Sequence, residues 1–234
     1  MRRLRCKVAE GLRVRIFQDE CAANPRDKSW NEPFGALVSF SPDFSADGTA
    51  YAGDVCTFLE DVVTSACPAV WKALDGIERL LQSAGAEEET IDAAKAAYVG
   101  AQAEGVLVLV WLSARRFRCT GWQIRETEQD NADACMYVTL AEARECFGNV
   151  EDLVKRTRES IFYAVEEYEQ WLNGEVYGYT VSEVARDEDG EPLDDEEAEE
   201  EVDSCWGFYG TNWKENGLAE YVAQHSEALA KVLQ

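Results

Sequence analysis

Residues 194–210 read DDEEAEEEVDSCWGFYG. The first half is almost entirely acidic and has no side chain suited to a core, whereas the second half is rich in aromatic side chains that we expect to be largely buried. The aromatic half, Val202–Gly210, and the earlier segment EVYGYTV at Glu175–Val181 both have the composition of β-strands. We therefore predict an antiparallel pair of strands joined by a long acidic connection. The connection contains a glycine and a proline, and we expect a mobile acidic loop over about 185–201.

Hydrophobic periodicity in the rest of the chain predicts an α+β fold, in which antiparallel strands and hairpins pack with several amphipathic helices. Gly11–Gln18 and Gly35–Phe40 alternate as strands do, and we expect them to form a hairpin. Asp54–Ser83 is predicted to be helical and split at Pro68, with Trp71 and Leu80 on its apolar stripe. The remaining predicted elements are a helix Glu87–Gly100, strands Val106–Leu112, Arg115–Ile124 and Asp133–Thr139, a helix Asn149–Leu172 capped by Asn149, and a last helix from about Lys214.

The length of 234 residues suits one large domain or two small ones, and 46% hydrophobic residues are enough for a sizeable core. Because we find no internal repeat, we predict a single α+β domain over residues 1–234. Within it, the helical part at about 54–100 is predicted to be an insertion.

The charge is the most unusual property of the chain. Forty-six acids against 22 bases give a net charge of −24. Residues 183–203 contain 13 acids and one base, so half of the excess lies in that short stretch. Phosphate contacts need Lys and Arg, so this balance argues against direct binding to nucleic acid or to an anionic membrane and favours a basic protein partner.

The eight cysteines include no C-x-x-C pair, and several lie within apolar patterns. We therefore expect reduced cysteines that act mostly as small buried hydrophobes. The basic start MRRLRCK is not followed by an apolar signal segment, and the longest apolar run, Val106–Leu112, is too short to cross a bilayer. These features predict a cytoplasmic protein with reduced cysteines, whose oligomeric state the sequence leaves open.

Catalytic and metal-binding patterns are weak in this sequence. His225 is the only histidine and falls at helical spacing from apolar residues, which is typical of a core or boundary position. The acidic segment Asp187–Glu197 does not match the spacing of an EF-hand, and no glycine-rich phosphate loop is present. We predict no enzymatic activity, no metal and no cofactor, with a small enzyme using Asp203 or Cys205 as an alternative.

Negative side chains spaced along a folded surface can imitate the phosphates of a nucleic acid and so occupy a basic groove. The acids that we predict to bind a partner in this way lie on exposed helix faces and in the acidic loop. They are Glu87, Glu88, Glu89, Glu151, Asp152, Glu159, Glu166, Glu167, Glu169, Asp194, Asp195, Glu196 and Glu197. An interaction module anchored by aromatic residues is an alternative, with Trp30 and Trp213 as its contact residues. The plainest alternative is that the acids form only solvated faces and a solubility loop.

Three stretches together resemble a family of small uncharacterised proteins carried by phages and mobile elements. They are NPRDKSWNEPFGALVSF near the start, WLNGEVYGY at Trp171–Tyr179, and VDSCWGFYG at Val202–Gly210. The resemblance implies no reaction and no functional residue. It implies a mobile-element origin, and proteins of such origin often block host defence nucleases, restriction enzymes or CRISPR complexes. Together with the charge, it leads us to expect a non-enzymatic, acidic nucleic-acid mimic that inhibits such a system.

Overall fold

The computed structural model describes residues 3–29, 32–44, 51–187, 189–190 and 199–233. The chain divides into two compact units, and the prediction of a single domain does not anticipate this division. Unit 1 comprises Met1–Pro25 and Glu167–Gln234, and unit 2 comprises Arg26–Glu166. The helical part at about 54–100 lies inside unit 2. The predicted α+β class is confirmed, because each unit has its own antiparallel sheet and helices are present in both.

The strands are β1 Arg3–Ala9, β2 Leu12–Gln18, β3 Ala36–Ser39, β4 Leu107–Phe117, β5 Gly121–Glu126, β6 Ala134–Thr139, β7 Val176–Glu183 and β8 Glu200–Tyr209. The helices are α1 Val55–Ala66, α2 Pro68–Ser83, α3 Glu88–Val106, α4 Leu140–Phe147, α5 Leu153–Leu172, α6 Leu218–Ala223 and α7 Glu227–Leu233. None of the helices in the described ranges has the length and apolar character needed to span a bilayer.

The sheet of unit 1 has the order β1-β2-β7-β8, with every neighbouring pair antiparallel. The predicted pairing of β7 with β8 is confirmed. Alternate residues of the central strands, among them Val14, Ile16 and Tyr179, face a core that α6 and α7 complete. The predicted hairpin of β2 with β3 is wrong, because β2 pairs with β1 and β7 while β3 belongs to unit 2. The sequence analysis missed β1, whose positive charges masked its alternation.

The sheet of unit 2 has the order β3-β6-β4-β5 and is also antiparallel throughout. Helices α1, α2 and α3 pack together around a core that includes Val63, Leu74, Val99 and Leu107. Because Leu107 begins β4, this core joins the three helices to the sheet. We call α1, α2 and α3 the helical layer.

The predicted break at Pro68 is confirmed, since α1 ends at Ala66 and Pro68 opens α2. Trp71 and Leu80, however, are not on a buried stripe: they are 63% and 69% exposed. Only Val70 and Leu74 of α2 are buried, because α2 forms a narrow contact with its neighbours.

Three predicted helix limits need correction. Helix α3 ends at Val106 and not at Gly100. Helix α5 begins at Leu153 and not at Asn149, because its first hydrogen bond runs from Arg156 N to Asp152 O at 3.0 Å. The single helix predicted from Lys214 is two short helices, α6 and α7. The chain turns between them, and Ser226 Oγ accepts a hydrogen bond from Leu229 N at 3.2 Å, which starts α7.

The cysteines are all free thiols. The prediction that they are mostly buried is wrong, because only Cys135 is fully buried and four others, Cys21, Cys56, Cys119 and Cys146, are exposed. Burial of Cys135 raises the pKa of its thiol well above its ordinary value.

Candidate interaction surface

The negative charge is concentrated in one stretch of each unit. Residues 54–106, which contain the helical layer, have 10 acids and three bases, a net charge of −7. Residues 183–203 of unit 1 hold −12. The other 160 residues have 23 acids and 18 bases, so they hold only −5. The chain is therefore nearly balanced outside these two stretches.

The helical layer carries its acids on the outside. A groove of about 430 Å³ is lined by residues of α1 and α3 and by the segments beside them. Its charged side chains are Asp54, Glu60, Asp61 and Asp92, with Lys95 as the single base. Lys95 Nζ lies 3.3 Å from Glu78 Oε2 and is therefore partly neutralised by another acid of the layer. The groove thus keeps a net negative charge.

The predicted residues Glu87, Glu88 and Glu89 are exposed at the start of α3. Glu88 and Glu89 lie in its first turn, where carboxylates interact favourably with the helix dipole. Because α3 is fixed to the unit by Ile91 and Val99, these acids project from a defined position.

Two of the predicted acids of α5 and of the turn before it, Asp152 and Glu159, pair with bases. Asp152 accepts two hydrogen bonds from Arg156 Nε at 2.9 Å, and this contact lowers the pKa of its carboxyl. Glu159 lies 3.8 Å from Lys155. Glu151 and Glu166 are exposed, while two further predicted acids, Glu167 and Glu169, are half-buried. The bases of α5, Lys155, Arg156 and Arg158, lie in its first half, whereas Glu166, Glu167 and Glu169 lie in its second half. The helix as a whole has a net charge of only −1.

One acid of the stretch 183–203 is buried in unit 1. The side chain of Glu199 is only 1% exposed and lies against Arg13 and Arg15 of β2, which are 5% and 4% exposed. Arg15 Nη1 donates to Glu199 Oε2 at 2.6 Å, and Arg13 Nη1 donates to Oε1. Ser182 Oγ donates to Oε2 at 2.9 Å.

Burial of Glu199 raises the pKa of its carboxyl, but the hydrogen bonds from Arg15 and Ser182 and the charges of Arg15 and Arg13 outweigh that effect. The pKa is therefore below its ordinary value, and Glu199 is a carboxylate at neutral pH. This residue attaches the end of the acidic stretch to the sheet. The other predicted acids of the loop, Asp194, Asp195, Glu196 and Glu197, lie outside the described residues.

Of the two predicted aromatic contact residues, the structure describes only Trp213. Trp213 is buried in the core of unit 1, where its ring meets that of Tyr177 edge-on at 5.0 Å. It is a packing residue and not a surface anchor, because the polar sequence around it lies in an exposed turn while its own ring faces the core. Trp30 lies outside the described residues.

Asp203, one of the two residues of the alternative enzymatic site, lies in a small cluster with Tyr179 and His225. Asp203 Oδ2 accepts a hydrogen bond from Tyr179 OH at 2.7 Å and lies 2.9 Å from His225 Nε2. The Tyr179 contact and the His225 contact lower the pKa of Asp203. Cys205 is half-buried and packs against the core. Since His225 lies in the turn between α6 and α7, this cluster ties that turn to β7 and β8.

Within the described part of the chain, no group of three or more histidine, cysteine, aspartate or glutamate side chains is arranged to hold a metal ion. The sequence analysis missed three features: the acidic groove of the helical layer, the exposed Trp71, and the buried contact of Glu199 with two arginines. The acids of the groove are dispersed in sequence, and only the packing of α1 against α3 brings them together.

Comparisons of the chain with protein-family models, with curated proteins and with solved structures give no match. The resemblance to a family of phage and mobile-element proteins therefore stays a prediction.

Proposed function

We propose that this chain is a non-enzymatic, acidic inhibitor that occupies the basic nucleic-acid-binding surface of a host defence nuclease, such as a restriction enzyme or a CRISPR complex. It would be an accessory protein of a phage or mobile element and would act in the cytoplasm of a bacterial host. The observation that carries the proposal is the division of charge, in which −19 of the net −24 lies in two stretches and the other 160 residues are nearly balanced.

The helical layer supports this proposal better than α5 does. The three helices hold −5 of the −7 of residues 54–106 and share one core with β4, so the carboxylates hold fixed positions. Fixed negative groups match the fixed cations of a nucleic-acid groove with less loss of conformational freedom than a flexible acidic tail would. We therefore assign the main contact to the layer, with Glu88, Glu89 and Asp92 as three exposed acids on one helix.

The test replaces these three acids and measures inhibition of DNA cleavage by a panel of purified restriction and CRISPR nucleases. We expect E88Q/E89Q/D92N to weaken inhibition about tenfold, since three exposed ion pairs at roughly 0.5 kcal/mol each amount to about 1.4 kcal/mol. The matched control is E215Q/E220Q/E227Q, which changes the net charge equally at exposed positions of unit 1. Equal effects of the two variants would mean that only net charge matters, and the layer would not be the contact.

Salt provides the second measurement. Complementary charges are screened over about 8 Å at physiological ionic strength, so inhibition should weaken strongly between about 0.1 M and 1 M salt. Inhibition that persists unchanged at 1 M salt would contradict a charge-based mechanism.

The acidic connection can be tested separately if Glu199 is kept. A deletion that includes Glu199 would expose two buried arginines and confuse a structural effect with a functional one. Replacing residues 191–197 with a glycine-serine linker of equal length retains that contact. We expect this replacement to weaken inhibition less than E88Q/E89Q/D92N does, and the reverse order would make the connection the main contact.

An aromatic-anchored interaction module is the second candidate, and the exposure of Trp71 favours it. A tryptophan that is 63% exposed beside an acidic surface has the character of an interface hot spot. In this case W71A would abolish partner binding, and salt would have little effect. Partner binding by W71A and by E88Q/E89Q/D92N, each measured at low and at high salt, therefore separates the two candidates.

A further inference from the structure

The β4–β5 hairpin is the one stretch of unit 2 in which positive charge accumulates without acids. Residues 115–125 contain Arg115, Arg116, Arg118 and Arg125 and no aspartate or glutamate. The first three occupy the end of β4 and the turn that follows, and all three are exposed. This is a local charge of +4 in a chain of net −24.

The guanidinium groups of Arg115, Arg116 and Arg118 make no hydrogen bond or ion pair with any residue in the described ranges. Other arginines of the same unit do find carboxylates: Arg79 pairs with Asp75, and Arg156 pairs with Asp152. The nearest acid in the sequence, Glu126, pairs with Arg158 of α5. Two acids, Asp43 and Asp133, line the same concave surface as Arg115 and Arg116. The Asp133 carboxylate accepts a hydrogen bond from Ala114 N at 2.9 Å, and Asp43 is exposed.

The strand register places an open aromatic ring on the same face as Arg115, whereas Arg116 pairs with Trp122 on the other face. Phe117 pairs with Gly121, and Arg115 pairs with Gln123 two residues away, so Arg115 and Phe117 share one face of the hairpin. Because Gly121 has no side chain, the opposite strand leaves the ring of Phe117 uncovered, and Phe117 is 47% exposed. Trp122 lies on the other face, where its ring centroid is 5.4 Å from that of Phe44.

We propose that a single-stranded nucleic acid binds across the end of the β4–β5 hairpin. Arg115 on one face, Arg116 on the other and Arg118 in the turn contact its phosphates, and Phe117, on the face of Arg115, stacks on an unpaired base. Arginine next to an exposed aromatic ring is the combination that holds single strands, since every base has a face for stacking. An acidic peptide would need the arginines but has no use for the ring. The net charge of the chain acts against such binding at low ionic strength, but it is screened beyond about 8 Å under physiological conditions, where the local charge of the hairpin prevails.

The proposal modifies the sequence-based expectation that the chain does not contact nucleic acid, because that expectation rests on the total charge. It is independent of the proposed inhibition, and its test uses the purified chain alone. The probe is a fluorescein-labelled 12-nucleotide oligothymidylate, followed by fluorescence anisotropy at several salt concentrations. With three phosphate contacts, the slope of log K against log salt should be about −2, from a factor of about 0.7 per contact.

The variant R115Q/R116Q/R118Q should abolish measurable binding. The matched control K72Q/R79Q/R144Q removes the same charge from exposed positions of unit 2 and should bind more tightly than R115Q/R116Q/R118Q by at least tenfold. F117A should weaken binding of the single strand about tenfold without changing the salt slope, because the loss of stacking leaves the phosphate contacts in place. Circular dichroism of each variant checks that it is folded.

Two outcomes would overturn the proposal. The first is equal loss of binding in R115Q/R116Q/R118Q and K72Q/R79Q/R144Q, which would mean that only net charge matters. The second is full competition by polyglutamate together with normal binding by F117A, which would identify an acidic protein segment as the natural occupant. Absence of binding by the wild-type chain at about 0.15 M salt, where the net charge is screened beyond about 8 Å, also excludes a nucleic-acid site.

Discussion

The helical layer of unit 2 and the acidic stretch of unit 1 both carry a large excess of acids, yet their carboxylates have different surroundings. In the layer, Glu88, Glu89 and Asp92 are exposed on a helix that is anchored by other residues. In unit 1, Glu199 is enclosed by Arg13, Arg15 and Ser182. The first arrangement leaves charge available to a partner, whereas the second uses it to hold a strand connection against the sheet.

The difference arises from where the bases lie. Unit 1 begins with a basic hairpin, because residues 1–18 contain six bases and one acid. Strand β2 of that hairpin pairs with β7, and the register puts Arg13 opposite Ser182, close to the start of the acidic connection. Residues 54–106, which contain the layer, have only three bases against 10 acids. Acidity alone therefore does not identify a binding surface, and the position of each acid relative to the arginines must be known.

The largest expected effect concerns Glu199. Glu199→Ala leaves two buried guanidinium groups without their carboxylate, and we expect the free energy of unfolding to fall by about 3–5 kcal/mol. Glu89→Ala, in the layer, should change it by no more than about 0.5 kcal/mol, because its side chain is exposed. Urea denaturation followed by circular dichroism measures both. Equal values for the two variants would remove the distinction between the two acidic regions.

The pH dependence of stability gives a second measurement of the same contact. The folded pKa of Glu199 lies below its ordinary value of 4.5. Its contribution is therefore complete above pH 4.5 and is lost as the pH falls through the folded pKa. The difference in unfolding free energy between wild type and Glu199→Ala should shrink over that acidic range. A difference that stays constant would show that Glu199 acts through packing and not through charge.

The next effect compares one tryptophan from each unit. Trp213→Ala removes a buried ring from the core of unit 1, and we expect a loss of about 3 kcal/mol. Trp71→Ala should change stability by less than about 0.5 kcal/mol, since that ring is 63% exposed. Thermal unfolding of both variants tests this pair. A strongly destabilised Trp71→Ala would mean that the helical layer depends on Trp71 and that this residue is not free for a partner.

The smallest effect concerns Asp203, which unlike Glu199 is partly exposed. Asp203→Asn weakens the contacts with Tyr179 and His225, and we expect a loss of about 1 kcal/mol. The ring resonances of His225, the chain's only histidine, should shift in the NMR spectrum. Glu201→Gln, at an exposed position of the same strand, should leave stability and these resonances unchanged. Unchanged resonances in Asp203→Asn would show that Asp203 does not hold the turn between α6 and α7.

Several features could be predicted from residue patterns because they depend on neighbours in the sequence. The alternation at Gly11–Gln18, the break at Pro68 and the pairing of the strands on either side of the acidic connection were all predicted correctly. Predictions that required long-range contacts were less successful. The polar neighbours of Trp213 suggested exposure and the helical spacing of Trp71 suggested burial, and the structure reverses both.

The sequence by itself determined the α+β class, the composition of the strands and the total charge, because periodicity and composition are local properties of the chain. Only the tertiary structure decided which of those charges are buried against bases and which lie together at the surface. The pairing of β2 with β7 brings Arg13 and Arg15 to Glu199 across more than 180 residues, and the packing of α1 against α3 gathers dispersed acids into one groove. Coulomb interactions depend on distances in space, and no pattern along the chain specifies those distances.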